Sequence, residues 1–209
     1  MHFVTSVILS LSLVIPTLAL AEFQLFPIVY EVVSVPDGDV LNVREEPSAS
    51  SYDLDDLLPG QQAEVTALDE TGTWARILWH GGDAWVSLKF MQPVKQYGDD
   101  FSTMPINQQC GGAEPFWSVD ITYDSQFGFT EMGGDTEWMP IETSTMSHNM
   151  YRSNYAFETP RFTGFIRRAE CSNGVSDKTY GWALDLLEKG KGDLWSGCCQ
   201  TNLPVVDGY

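Results

Sequence analysis

The feature that most constrains this chain is a pair of adjacent cysteines near its end. Cys198 and Cys199 stand side by side, and Cys110 and Cys171 are the only others in 209 residues. In a strand, successive side chains point to opposite faces. Neighbouring cysteines there are poorly placed to bond each other and well placed to staple two different segments. A vicinal bridge is strained, which leaves two of the three pairings that four cysteines allow. We favour Cys171–Cys198 with Cys110–Cys199. The shorter loop then joins a strand beginning near Phe162 to the last strand, and the longer one ties down the start of this half. In the chain-entropy picture the shorter loop, about 28 residues, contributes roughly 3.5 kcal/mol. A zinc site would want two well-spaced pairs or histidine partners, and these cysteines have neither. The expectation is an oxidising compartment and no thiol catalyst.

The start of the chain agrees with export. Val4 to Leu20 is apolar apart from Thr, Ser and one Pro, and it ends in Ala19-Leu20-Ala21, a small-x-small cleavage pattern. No cysteine follows for lipid attachment. We expect a signal peptide over residues 1–21 and a periplasmic or extracellular product with no integral membrane segment after processing. An uncleaved anchor is the alternative, though about 17 apolar residues is short for a span. The 29 acidic and 11 basic residues give a net charge of −18, spread over both halves. Such a field repels nucleic acid and anionic membrane surfaces and favours a basic partner. Its plainer meaning is solubility.

A polar, turn-rich link over residues 96–107 divides the chain in two. The first half reads as five short strands: Val29–Val35, Val40–Arg44, Glu64–Asp69, Trp74–Trp79 and Asp83–Phe90. Pro36-Asp37-Gly38-Asp39, Leu57-Leu58-Pro59-Gly60 and Glu70-Thr71-Gly72-Thr73 are turn signals between them. Glu45 to Asp56 reads as a loop. Strands this short and this many suit a small barrel. The stretches LNVREEPS (Leu41–Ser48), LPGQQAEV (Leu58–Val65), TWARI (Thr73–Ile77) and AWVSLKFM (Ala84–Met91) resemble, in order and spacing, the bacterial SH3-like (SH3b) family. The resemblance covers residues 28–95 and implies an SH3-like barrel that docks extended or cell-wall peptide. Ala84 departs from the Gly usual in the family, and the loop Ser48–Leu57 is more acidic than usual.

The second half, residues 108–209, also reads as β. Trp117, Val119, Ile121 and Tyr123 alternate with polar residues, so one face is apolar. Phe162–Cys171 reads as a strand, and Tyr180–Leu187 pairs as a hairpin with Leu194–Gln200. A helix over Ala183–Lys189 stopped by Gly190 is the alternative. CGGAEPFW (Cys110–Trp117), CSNGVSDKTYGWAL (Cys171–Leu184) and SGCC (Ser196–Cys199) resemble a family of uncharacterised exported bacterial domains, with Phe127–Arg161 poorly matched. The fold expected is therefore all-β: an N-terminal SH3-like small barrel, then a disulfide-stapled small barrel or sandwich.

No catalytic residue, metal or cofactor is assigned. After processing only His80 and His148 remain, no Gly-x-Ser-x-Gly elbow or phosphate loop occurs, and 29 acids make paired carboxylates uninformative. Asp37-Gly38-Asp39 and Asn173–Asp177 read as Asx-type turns rather than calcium loops. On Trp74–Trp79, the face of Ala75, Ile77 and Trp79 reads as core. Trp74 then stands beside the hairpin, where SH3-like folds place a groove aromatic, with Phe90 as a second and Tyr52 as a third wall. Asp53, Asp55 and Asp56 would edge the groove and favour a cationic peptide. Arg152, Arg161, Arg167 and Arg168 are four of the seven basic residues after the link. Arg167 and Arg168 are neighbours on a strand, so one points inward and needs a carboxylate. Glu114 is the candidate, as a structural ion pair or an anion site. The function expected is that of an exported, non-enzymatic binding protein for peptide or a cell-wall component. The alternatives are a cell-envelope hydrolase with a targeting module, or an acidic inhibitor of a basic lytic enzyme such as lysozyme.

Overall fold

A computed structural model describes residues 25–94, 104, 107–148 and 154–203. The first sheet contains β1 (Ile28–Val32), β2 (Leu41–Arg44), β3 (Asp53–Leu57), β4 (Gln62–Leu68), β5 (Trp74–Trp79), β6 (Gly82–Ser87) and β7 (Met91–Pro93). A single 3-10 turn, Leu88–Phe90, joins the last two. The strands pair in the order β3-β2-β6-β5-β4-β1-β7. Period-two alternation sends Val43, Val65, Ala75, Ile77, Ala84 and Val86 into one fully buried core. Two strands exceed the five expected, β3 and β7. The stretch expected as a loop ends in β3, whose four leading residues are all exposed. Charged residues disfavour strands in general, but at a sheet edge they discourage pairing with another chain.

The second sheet contains β8 (Gln108–Gly112), β9 (Trp117–Ile121), β10 (Gln126–Glu131), β11 (Glu137–Pro140), β12 (Thr143–Met146), β13 (Asn154–Glu158), β14 (Phe162–Cys171), β15 (Tyr180–Glu188) and β16 (Leu194–Thr201). Their order is β11-β10-β9-β8-β16-β15-β14-β13-β12. The helix alternative over Ala183–Lys189 is replaced by the end of β15. The two edge strands, β11 and β12, follow each other in sequence with only Ile141 and Glu142 between them. The Ile141 amide donates to the carbonyl of Ser125 at one edge, and the Glu142 amide to that of Glu158 at the other, at 2.9 and 2.8 Å. The sheet therefore curls until its edges meet, which makes the barrel form of the expected fold. Its interior holds Trp117, Phe127, Phe129, Tyr155, Phe157, Phe162 and Leu184. Gly164 belongs to this packing: a Cβ there would lie 2.1 Å from the Phe157 ring.

Both staples join β16 to earlier strands. Cys199 bonds Cys110, its cross-strand partner on β8, and Cys198 bonds Cys171 at the end of β14. Adjacent residues of one strand thus hold β8, its direct neighbour, and β14, which lies beyond β15 in the sheet.

The two sheets have separate cores and touch through polar contacts. Arg76 on β5 pairs with Glu170 on β14, and the Thr179 amide donates to Asp83 Oδ1 at 2.7 Å. Arg168 Nη1 donates to the carbonyls of Leu25, at 2.9 Å, and Pro27. The Thr201 amide donates to Glu64 Oε2 at 2.7 Å. The expected signal peptide, and most of the expected link over residues 96–107, lie outside the described residues. Among the described residues no helix is long and apolar enough to cross a membrane.

Candidate functional site

The β4–β5 turn presents Trp74. Asp69, closing β4, receives the Thr71 hydroxyl at 2.6 Å and the amides of Thr73 and Trp74 at 2.9 and 2.8 Å. Those bonds, the Thr71 hydroxyl foremost, hold its pKa down to about 2. The turn is therefore braced by an ionised carboxylate at any pH above the acid range.

Ala75 and Ile77 are fully buried, and Trp79 packs against the same core. Trp74, Arg76 and Leu78 therefore face outward, and Trp74 is half-buried. Register places Arg44, Trp85 and Arg76 in one row across β2, β6 and β5. At the Leu78 end, the loop after β14 lies against this face through the Thr179–Asp83 bond and a bridge between Gly82 and Asp177. In that loop Asn173 Oδ1 accepts the amides of Val175 and Ser176, the expected Asx-type turn.

The other members of the expected groove are dispersed. Phe90 is half-buried on the 3-10 turn, packs against the first core, and carries Lys89 Nζ 5.2 Å from its ring centre. Tyr52 is 72% exposed just before β3. Two strands separate β3 from β5, so Tyr52 lies about 14 Å from Trp74's strand along the sheet. Asp53, Asp55 and Asp56 are exposed on β3 rather than in a loop. Asp53 lies 3.9 Å from Arg44, and Asp55 lies 3.4 Å from His80. The Asp56 amide and then His80 hold the Asp55 carboxyl below its usual range.

The arginine assignments change. Glu114 is exposed and pairs with neither arginine. Arg167 pairs with Asp185 on the neighbouring strand. Arg168 lies with its guanidinium 4.6 Å from the Trp182 ring and donates to the Leu25 and Pro27 carbonyls. The ion pairs that close the barrel belong to Arg161, which contacts Glu137 on β11 at 2.7 Å and Glu188 on β15 at 2.8 Å. Its guanidinium lies 5.0 and 4.8 Å from the Phe129 and Phe162 rings. Burial pushes the Glu188 carboxyl up, but Arg161 and Lys191 outweigh it and hold the group low. Arg152 lies outside the described residues.

Glu64 is the group that sequence reasoning missed. It is 5% exposed in the middle of β4, where Ala63, Val65 and Thr66 are also buried. Burial pushes its pKa up to about 7 against the opposing bonds from Thr201 and the charge of Arg168. The only signal was a charged residue set between Ala63 and Val65 in a largely buried strand.

Hollows of about 470, 320 and 250 Å³ lie beside the Arg167–Asp185 pair, beside Cys110 and Phe116, and at the junction of the sheets. Trp74, Phe90 and Tyr52 line none of these three. No curated protein and no solved structure matches this chain. The family resemblance read in the motifs of the second half gains no support from these comparisons. Residues 39–92, running from the turn before β2 into β7, match the family model of the bacterial SH3 domain.

Proposed function

We propose that this is an exported, non-enzymatic binding protein whose first sheet docks extended peptide, with cell-wall peptide as the partner class. The observation that carries this reading is the match of residues 39–92 to a binding and targeting family. Trp74, half-buried, outward and held by the Asp69-braced turn, is its anchor. A rigid aromatic supplies apolar contact at low entropic cost. The two disulfides fit an oxidising compartment. The contact surface is the Trp74 end of the outward face of β5 and β6, because Arg76 and the Leu78 end of that face meet the second half. Tyr52 and the acids of β3 form a remote rim that attracts cations through charge rather than touching the same residue of a ligand. Sedimentation with purified peptidoglycan tests this. Wild type should co-sediment and Trp74→Ala should remain in solution at equal concentration. Failure of wild type to bind wall material, or to any lysine-bearing wall peptide at millimolar concentration, would overturn it.

A further inference from the structure

The junction between the two sheets encloses a hollow of about 250 Å³ whose lining includes Glu64, Leu78, Trp79, Gln200, Thr201 and Leu203. Its polar group is unusual. Glu64 Oε2 accepts the Thr201 amide, while Glu64 Oε1 is buried and has no partner. A carboxylate can accept about four hydrogen bonds, so most of this group's capacity is unused. Leaving a buried carboxylate oxygen unpaired is costly. Beside it stand an indole and two leucines, which suit an alkyl stem and the charge at its end.

We propose that this hollow is a binding site for a primary alkylammonium, the chemistry of a lysine or diaminopimelate side chain. Glu64 is its counter-ion, and Trp79, Leu78 and Leu203 wall the stem. The site is distinct from the surface at Trp74 and stands or falls without it. An ammonium supplies the three donors that Oε1 and the amide oxygen of Gln200 can accept. The net charge of −18 draws cations towards it.

The charged groups around Glu64 set the pH dependence. Arg168 on β14 favours the ionised carboxylate through its charge. Glu31 on β1 accepts from the rim residue Gln62 at 3.4 Å. Beyond Trp79, His80 pairs with Asp55 on β3. Only the ionised carboxylate offers a counter-charge, and burial keeps Glu64 protonated until about pH 7. Occupancy therefore rises with pH. From about pH 5.5 to about pH 8.5 the ionised fraction, and with it the apparent affinity, increases roughly thirtyfold.

The test is calorimetric titration of the whole protein with Nα-acetyl-lysine methyl ester and Nα-acetyl-norleucine methyl ester, which keeps the four-carbon stem and lacks the ammonium. The lysine ester should bind, the norleucine ester should not, and the affinity should climb as stated. Glu64→Gln should weaken binding at least tenfold at the higher pH, and Leu194→Ala, at the exposed start of β16, should leave it unchanged. Equal binding of both esters, unchanged affinity in Glu64→Gln, or no heat up to tens of millimolar overturns the proposal. An equal loss of binding in Leu194→Ala also overturns it, since the effect of Glu64→Gln is then not specific to the hollow. Should Glu64→Gln not fold, the wild-type pH series decides, and a flat series refutes the site.

Discussion

Glu64 makes the stability of this protein fall as pH rises through neutrality. Its pKa is about 7 in the folded chain against 4.5 for a free glutamate. The folded state holds the proton where the unfolded state has released it. Folding is therefore fully favoured by this group below about pH 4.5 and progressively less so up to about pH 7, with no further change above. A gap of about 2.5 pH units corresponds to about 3 kcal/mol. In a chain of this size that moves the melting temperature by about 6–12 °C. Carboxylates held low, Asp55, Asp69 and Glu188 among them, act with the opposite sign and only at more acid pH. The comparison that isolates Glu64 is with Glu64→Gln, which keeps an oxygen for the Thr201 amide and cannot ionise. Urea unfolding of both proteins between about pH 5 and pH 8 gives two stability curves. The variant should gain on wild type by about 3 kcal/mol across that interval. A constant difference between the curves would refute the argument, because it would mean that Glu64 is ionised in the folded protein throughout.

Trp74→Ala should weaken peptide binding by about 1–2 kcal/mol and leave the melting temperature of the protein within a few degrees, as read by calorimetry and circular dichroism. Arg161→Met should cost about 3 kcal/mol in urea unfolding, because Glu188 is then buried against Lys191 alone. Gly164→Ala should destabilise by at least 1–3 kcal/mol on the scale of about that size for overpacked cores, since its Cβ meets the fully buried Phe157 ring at 2.1 Å. Reduction of both disulfides should lower stability by about 2–5 kcal/mol; an unchanged urea midpoint in reductant would show the staples to be incidental.

What the sequence made legible was local. The vicinal cysteines required two partners because of strand alternation, and β16 presents them to β8 and β14. The strands β5, β9, β14 and β15 carried clear period-two patterns. β12 did not, because Thr143, Ser144 and Thr145 are exposed on an edge and bear no apolar face. β3 was hidden by its aspartates for the same reason. The Glu114 assignment failed because an ion pair depends on distant register. Only the pairing of β14 with β15 sets Arg167 opposite Ala183, within reach of Asp185. Glu64 was illegible on the first half alone. Its side chain lies on the face opposite Val65, which a lone barrel would leave in water, and it is Thr201 of the second half that covers it. The wall of Trp79 at the junction shares this origin.

The two-residue step from β11 to β12 has a consequence for how the second half can be rewired. Its first and last strands, β8 and β16, lie side by side in the sheet, with Gln108 opposite Thr201. A short linker could join them without crossing another strand. The chain could then be cut between Ile141 and Glu142, and every strand pair and both disulfides would keep their partners. The new ends would emerge at the meeting edges of the curled sheet, where β11 and β12 are already sheet termini. Such a circular permutant would exchange the covalent stitch at the seam for one between β16 and β8. The pair from Arg161 to Glu137 and the packing of Phe127 and Phe129 on Phe157 and Phe162 would then have to hold that seam.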